Sequence, residues 1–327
     1  MEIEIGGVAH RPVMVSEVLE YLKPEKGKVI VDGTVGTGGH AESILGYIMP
    51  GGRLIAIDRD PAAIIKARDR LGEVAPAVSY HCENYRDIRS VLDVEGIERV
   101  DGILMDLGMS SIQLEDPDRG FSYRRDGPLD MKMGADAGMS AAEIINRESE
   151  DEITRILYSY GEERWARRIA HFIIETRKRR PILTTHQLVE VVLNAVPAGA
   201  RRGRKHPARK TFQALRIAVN HELEDLREGI AQGIECLALA GRMVILTYQS
   251  LEDRIVKSTF SSLAKGSAYP PGEPLFSEPV LRVLTRRPVR PLEEEILENP
   301  RSRSAKLRAA ERIRDGEDET RRGEEVT

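Results

Sequence analysis

The sequence predicts an α/β fold: a mostly parallel, doubly wound sheet interrupted by an inserted block of helices. Three observations predict it. Between residues 28 and 106 short apolar runs alternate with amphipathic helical patterns, the signature of successive βαβ units. From about residue 140 to residue 197 the strand pattern ceases and only helical periodicity remains. Apolar strand patterns then resume at Arg242–Thr247 and Leu281–Leu284, so the chain leaves one sheet and later returns to it.

The elements follow in order. Val13–Leu22 is expected to be helical, with Val15, Val18, Leu19 and Leu22 on one face. Lys28–Val31 is the first strand, followed by a turn from Asp32 to Gly39 and a helix through Ile44 and Leu45. Arg53–Ile57 is the second strand, ending at Asp58. Pro61–Leu71 is the next helix, with Pro61 in the first turn, where a missing N–H costs nothing. Val78–His81 is the third strand and leads to Asn84 and Tyr85; Ile88–Leu92 is helical, and Val100–Met105 is the fourth strand. The segment from Asp106 to Met131 has no clear period, yet it is too rich in Met, Leu and aromatic residues to be a solvated linker. It sits at the carboxyl end of a strand, where open α/β sheets bind ligands.

In the helical block, Ser140 with Glu143 and Ser149 with Glu152 read as capping boxes. A helix over Glu162–Arg180 stops before Pro181, and another opens at Thr185 and ends near Pro197. A Gly- and Arg-rich loop follows over Ala198–Lys210, then a single long helix over Thr211–Ile234. The chain from Pro288 is charged with few apolar residues and is expected to be partly disordered. The resulting organisation is a sheet domain in two parts (1–114 and 211–287), a helical insertion (115–210) and a charged C-terminal tail (288–327).

The net charge is only −4, so attraction to nucleic acid has to come from local clusters. Cys82 and Cys236 offer neither a disulfide framework nor metal-ligand spacing, so no metal is expected and a reducing compartment is. No basic-then-apolar leader opens the sequence, and no apolar run approaches the roughly 20 residues of a spanning helix. A cytoplasmic protein without membrane contact is expected, with monomer and homodimer both open.

VIVDGTVGTGGHA puts Asp32, Gly36, Gly38 and Gly39 between the first strand and a helix. Glycines there admit a ligand to the backbone, and the helix start offers N–H groups. Asp58, at the end of the second strand, stands where a carboxylate grips ribose hydroxyls. An adenosine-containing cofactor is expected. No Arg or Lys lies between Asp32 and His40, and the acid before the glycines suits a cationic ligand better than a pyrophosphate. S-adenosylmethionine, with its ammonium and sulfonium, fits those electrostatics.

Five segments, in order, carry a resemblance: GTVGTGGHA, DLGMSSIQLEDPDRGFSYRRDGPLDM, TFQALRIAVNHELEDL, SLEDRIVK and NPRSRSAKLRAAE. The chain from about Val8 to Ile313 resembles the RsmH (MraW) family of 16S rRNA cytosine-N4 methyltransferases. The resemblance implies a class I S-adenosylmethionine-dependent methyltransferase fold whose helical insertion recognises RNA. It also implies methylation of the N4 amine of cytidine 1402, in the decoding region of the small ribosomal subunit. Gly38, Gly39, His40, Asp58, Tyr85, Asp106 and Gln113 match the family's cofactor residues. Three positions depart from its usual pattern: Tyr85 for Phe, Ile112 for Pro, and Gln249 for His. A mechanism that needed an imidazole at 249 would fail here.

The exocyclic amine of cytosine is a poor nucleophile, because its lone pair is delocalised into the ring. A site must accept its hydrogen bonds and take up the released proton. Asp106, or the Leu107 carbonyl, is the candidate to orient the amine, with Ser110 or Ser111 assisting; contact of Asp106 with the cofactor alone is the competing role. Six of the ten residues from Arg201 to Lys210 are basic and none is acidic. Arg201, Arg202, Arg204, Lys205 and Lys210 are expected to meet RNA phosphates, with Phe121 and Arg124 beside them. A non-catalytic ribosome-assembly factor is the alternative. An NAD-dependent oxidoreductase is a weaker one, disfavoured by the acid before the glycines.

Overall fold

The computed structural model describes residues 4–5, 8–9, 11–72, 77–202, 206–266 and 278–314. The chain divides into two compact units, Met1–Gly108 with Glu224–Thr327, and Met109–Leu223.

The first unit is built on a seven-stranded sheet. In chain order its strands are β3 (Val29–Asp32), β4 (Arg53–Ile57), β5 (Val78–His81), β6 (Val100–Asp106), β7 (Leu237–Thr247), β8 (Leu281–Val283) and β9 (Lys306–Arg312). A two-stranded hairpin, β1 (Glu4–Ile5) with β2 (Val8–Ala9), lies apart from it. The order across the sheet is β5-β4-β3-β6-β7-β9-β8. The first five are parallel neighbours, and β9 runs antiparallel to both β7 and β8. Strand order reverses between β3 and β6, so their carboxyl ends form the crevice where such sheets take ligands.

Helices α1 (Val15–Leu22), α2 (Gly39–Ile48), α3 (Pro61–Leu71) and α4 (Ile88–Val94) separate the early strands, and α11 (Glu222–Cys236), α12 (Ser250–Leu263) and α13 (Glu293–Glu298) the later ones. All but α13, which has no buried residue, bury an apolar stripe. One cluster joins Val18 and Leu22 of α1, Ile44 and Ile48 of α2, and Ile64 of α3 to Ile30, Leu54, Leu104, Val244 and Leu307 of the strands. Local chemistry fixes the starts: Asp60 caps α3, accepting from the Ala62 N–H, with Pro61 at the first helical position.

The second unit is helical: α5 (Ser111–Glu115), α6 (Ala141–Arg147), α7 (Glu150–Gly161), α8 (Ala166–Arg177), α9 (Thr185–Ala195) and α10 (Arg209–Asn220). Ser140 and Glu143 form the expected capping box. Ser149 caps α7 through the Glu152 N–H. Helix α9 opens at Thr185, as expected, and its cap is Thr184, boxed with Gln187. Ile144, Ile153, Leu157, Ile169, Leu188 and Leu215 share one core.

Three sequence expectations are corrected. The helix over Thr211–Ile234 is two helices: His221 takes a left-handed conformation (φ 51°) and ends α10. The Asn220 side chain holds the Met131 carbonyl at 2.7 Å and the Met133 N–H at 2.8 Å, and Arg216 forks onto Glu222 at 2.8 Å. Since α10 packs into the helical core through Phe212 and Leu215, that unit extends to Leu223, beyond the expected boundary at 210. Last, residues 288–314 are not a loose tail, because β9 is an interior strand of the sheet; residues 315–327 lie outside the described residues.

Candidate active site

The carboxyl ends of β3, β4 and β6 bring together Asp32, Asp58 and Asp106. Asp32, the last residue of β3, is 1% exposed. Its Oδ1 accepts from the Thr34 N–H at 3.2 Å, while Oδ2 is buried without a hydrogen-bond partner. Burial pushes this carboxyl up to about 7; the Thr34 N–H opposes the rise, and the charges of Asp106 and Asp58 add to it. A buried carboxylate with an unused oxygen is costly unless something charged completes it.

Asp58 follows β4 and ties the glycine turn to it. Its two oxygens accept from the Gly36 N–H and the Asp60 N–H, both at 2.9 Å. Desolvation pushes its carboxyl up to about 6 against those two hydrogen bonds. Gly38 caps α2 at φ 82°, a left-handed conformation that favours glycine. Gly39 is the buried first residue of that helix. Tyr85 opens a short 3-10 turn, Tyr85–Asp87, which Asn84 caps by accepting from the Arg86 N–H.

At the end of β6, Asp106 donates its N–H to the Thr34 hydroxyl at 2.6 Å. Its Oδ2 faces Nδ1 of the buried His40 at 3.8 Å, and its Oδ1 is buried without a partner. Nε2 of His40 donates to the Val13 carbonyl at 2.9 Å. Tyr248, just beyond β7, hydrogen-bonds to the Asp106 carboxylate. Burial, the Asp106 charge and that bond hold its phenol well above the usual value. The sheet unit therefore carries Gly38, Gly39, His40, Asp58, Tyr85 and Asp106 at, or just beyond, the carboxyl ends of β3, β4, β5 and β6.

The other expected residues belong to the helical unit. Ser110 and Gln113 form a capping box on α5: the Gln113 N–H donates to the Ser110 hydroxyl, and the Gln113 carbonyl oxygen accepts from the Ser110 N–H, each at 3.2 Å. Ser111 is the first residue of α5, and its side chain lies outside the described atoms. Arg204 and Lys205 lie outside the described residues, as does the side chain of Arg202. Arg201 is exposed and donates from Nε to the Val196 carbonyl at 2.8 Å. Arg124 is exposed and lies over the Tyr123 ring, which stacks on His206 at 4.8 Å.

One RNA candidate is corrected. Phe121 is 4% exposed and belongs to the helical core, with Arg119 over its ring, so no face is left for a base. The Lys210 amine donates to the Glu162 carbonyl, just after α7, and an ammonium has two further N–H donors.

Sequence reasoning missed Tyr248 and Asp225. Tyr248 follows Thr247, the last residue of β7, and β7 runs parallel to β6. Position at the end of the neighbouring strand was the available signal. Asp225 is 2% exposed, and its carboxylate accepts from Asn84 Nδ2 at 2.7 Å, Arg86 at 2.9 Å and Arg59 at 3.3 Å. The signal was its place on the α11 stripe shared with Leu226, Ile230 and Ile234. Glu252 and Asp253 prove structural. Glu252 caps α12 through the Tyr248 and Gln249 N–H groups, and Asp253 pairs with Lys306 and Arg308. Gln249 donates its amide to Glu252 at 2.6 Å.

Among the described residues no group of three His, Cys, Asp or Glu is arranged to hold a metal, and no helix is long and apolar enough to cross a membrane. The sequence model of the MraW methylase family matches residues 7–313. Three relatives share the name "Ribosomal RNA small subunit methyltransferase H". That of Heliobacterium mobile is 47% identical over 93% of this chain and 99% of its own. That of Geobacter sulfurreducens is 49% identical over the same shares, and that of Geotalea uraniireducens 48% identical over 93% and 98%.

Proposed function

This chain belongs to the MraW methylase family, and on that premise we propose that it transfers a methyl group from S-adenosylmethionine to the N4 amine of a cytidine in the decoding region of 16S rRNA. It is an rRNA methyltransferase, with small-subunit rRNA as its substrate. The observation that carries the cofactor reading is the unpartnered Oδ2 of buried Asp32 at the carboxyl end of β3. An ammonium completes that oxygen; a pyrophosphate would be repelled by it and by the nearby Asp58 and Asp106. When bound, S-adenosylmethionine supplies a methyl group already activated by its sulfonium.

The residues of the sheet unit divide the binding work. Asp32 takes the amino acid ammonium, Asp58 accepts from the ribose hydroxyls, and Tyr85 lies against the adenine. The N–H groups at the start of α2, after Gly38 and Gly39, face the polar end of the ligand, and His40 braces that turn through the Val13 carbonyl. Asp106 orients the cytosine amine and receives its proton on Oδ1, the oxygen that no protein group uses. The Tyr248 hydrogen bond steadies the same carboxylate. No step needs an imidazole at position 249. Ser110 and Gln113 hold the start of α5 for the chain segment that follows Asp106. Exposed Arg201 and Arg124, together with Arg202, Arg204 and Lys205, contact RNA phosphates.

Mass-spectrometric mapping of 16S rRNA tests the reading. Cells lacking this protein are expected to lose N4-methylcytidine from the decoding region, and complementation with wild type but not with Asp106→Ala restores it. An unchanged map in the deletion strain overturns the assignment.

A further inference from the structure

We infer that Asp225 is a positioning residue that locks the adenosine side of the cofactor site through three hydrogen bonds; the inference rests on the reading above. Asp58 and Tyr85, proposed to hold ribose and adenine, sit on two separate loops, after β4 and after β5. Each has a neighbour that points to the same buried carboxylate. Arg59, directly after Asp58, reaches Asp225 Oδ2 at 3.3 Å with its side chain only 10% exposed. Asn84, directly before Tyr85, donates to the same oxygen at 2.7 Å. Arg86, directly after Tyr85, donates to Oδ1 at 2.9 Å. One side chain on α11 thus fixes the residues that flank both binding groups.

The same helix makes a second contact with the adenine side. Gly229 lies one turn beyond Asp225 on the same face of α11. A Cβ at Gly229 would stand 2.6 Å from Cδ2 and 3.0 Å from Cε2 of the Tyr85 ring. A methyl group does not fit there unless Tyr85 moves. Asp225 therefore pins the 84–86 turn by charge, and Gly229 lets its aromatic ring seat against the helix. Two cationic partners and one amide satisfy a carboxylate that would otherwise be costly to bury. Preorganised loops bind more tightly because less ordering is left to occur on binding.

Calorimetry with S-adenosylhomocysteine tests this on the full-length protein, with steady-state methylation of small-subunit rRNA alongside. For Asp225→Asn, Kd for S-adenosylhomocysteine and KM for S-adenosylmethionine are each expected to rise by roughly tenfold. At saturating cofactor kcat falls less than threefold, and KM for RNA stays the same. Gly229→Ala, which leaves every charge in place and adds helix propensity, is expected to give the same split through Tyr85. Arg86→Met covers the case in which Asp225→Asn fails to fold, and is expected to weaken binding in the same direction. Cofactor affinity within twofold of wild type in folded Asp225→Asn, or in both Gly229→Ala and Arg86→Met, overturns the inference. So does a loss confined to kcat. Failure of wild type itself to bind S-adenosylhomocysteine refutes instead the cofactor reading on which the inference stands.

Discussion

The sheet unit treats two of its carboxylates in opposite ways. Asp253, in the first turn of α12, meets Arg308 at 2.7 Å and Lys306 at 3.0 Å. Burial raises its carboxyl, but those two hydrogen bonds and charges outweigh burial and hold it below the usual range. Asp32 is more deeply buried, has one weak N–H donor and two acidic neighbours, and is pushed up to about 7. The fold is evidently able to pair buried charge, since it also does so at Asp225 and at Glu311, which meets Arg242 and Arg282. Among the described residues, Asp32 and Asp106 are the buried carboxylates that keep an oxygen without a partner, and they lie at the ends of the neighbouring strands β3 and β6.

Neutralising each carboxylate in turn is the sharpest way to break this contrast. Asp32→Asn is expected to lower S-adenosylhomocysteine affinity on the order of a hundredfold, as removal of one partner of a desolvated ion pair does. Its melting temperature stays level or rises, because an uncompensated buried acid is gone. Asp253→Asn is expected to do the reverse. It costs roughly 3 kcal/mol of stability in denaturant unfolding by stranding Arg308 and Lys306, while cofactor affinity stays within twofold. Matching losses of both kinds in both variants would dissolve the distinction. A smaller effect sharpens it: Tyr248→Phe removes only the hydroxyl bonded to Asp106. Turnover is expected to drop about tenfold, the low end of the scale of one hydrogen bond to a charged group, with unchanged KM for the cofactor.

The legible and illegible parts of the sequence divide along the same line. The strands at Arg53–Ile57 and Val78–His81 and the helix at Pro61–Leu71 were readable to the residue, because apolar runs and a Pro start leave little choice. Asp58 and Asp106 were readable as strand-end acids, because a polar residue closes each apolar run, and the structure places them there. Strand β9 was not. Arg308, Glu311 and Arg312 look like a solvated tail until their partners are known, and each is at least 94% buried. Arg312, for example, donates to the carbonyls of Ile234, Glu235 and Leu237 at the end of α11, almost 80 residues earlier in the chain. Asp225 escaped for the same reason, since sequence gives no view of Arg59, Asn84 and Arg86 converging on it. Phe121 failed in the other direction. An aromatic among charged residues reads as a stacking surface, yet it closes the helical core.

A cationic group seated against Asp32 would expel the proton that burial holds there, and proton exchange on binding measures this. Before ligand binds, Asp32 and Asp58 hold more protons in the native protein than in the unfolded chain between about pH 4 and pH 7, because burial raises their carboxyls to about 7 and about 6. Stability contributed by these groups is therefore present at low pH and declines as pH rises through that window. A bound ammonium favours ionised Asp32 and reverses the trend. Titration with S-adenosylhomocysteine at pH 6, in two buffers of different ionisation enthalpy, should show release of about one proton or slightly more per ligand. The release should shrink toward zero as pH rises past 7, where Asp32 is already ionised in the free protein. No proton release at pH 6, or net uptake, would contradict the account.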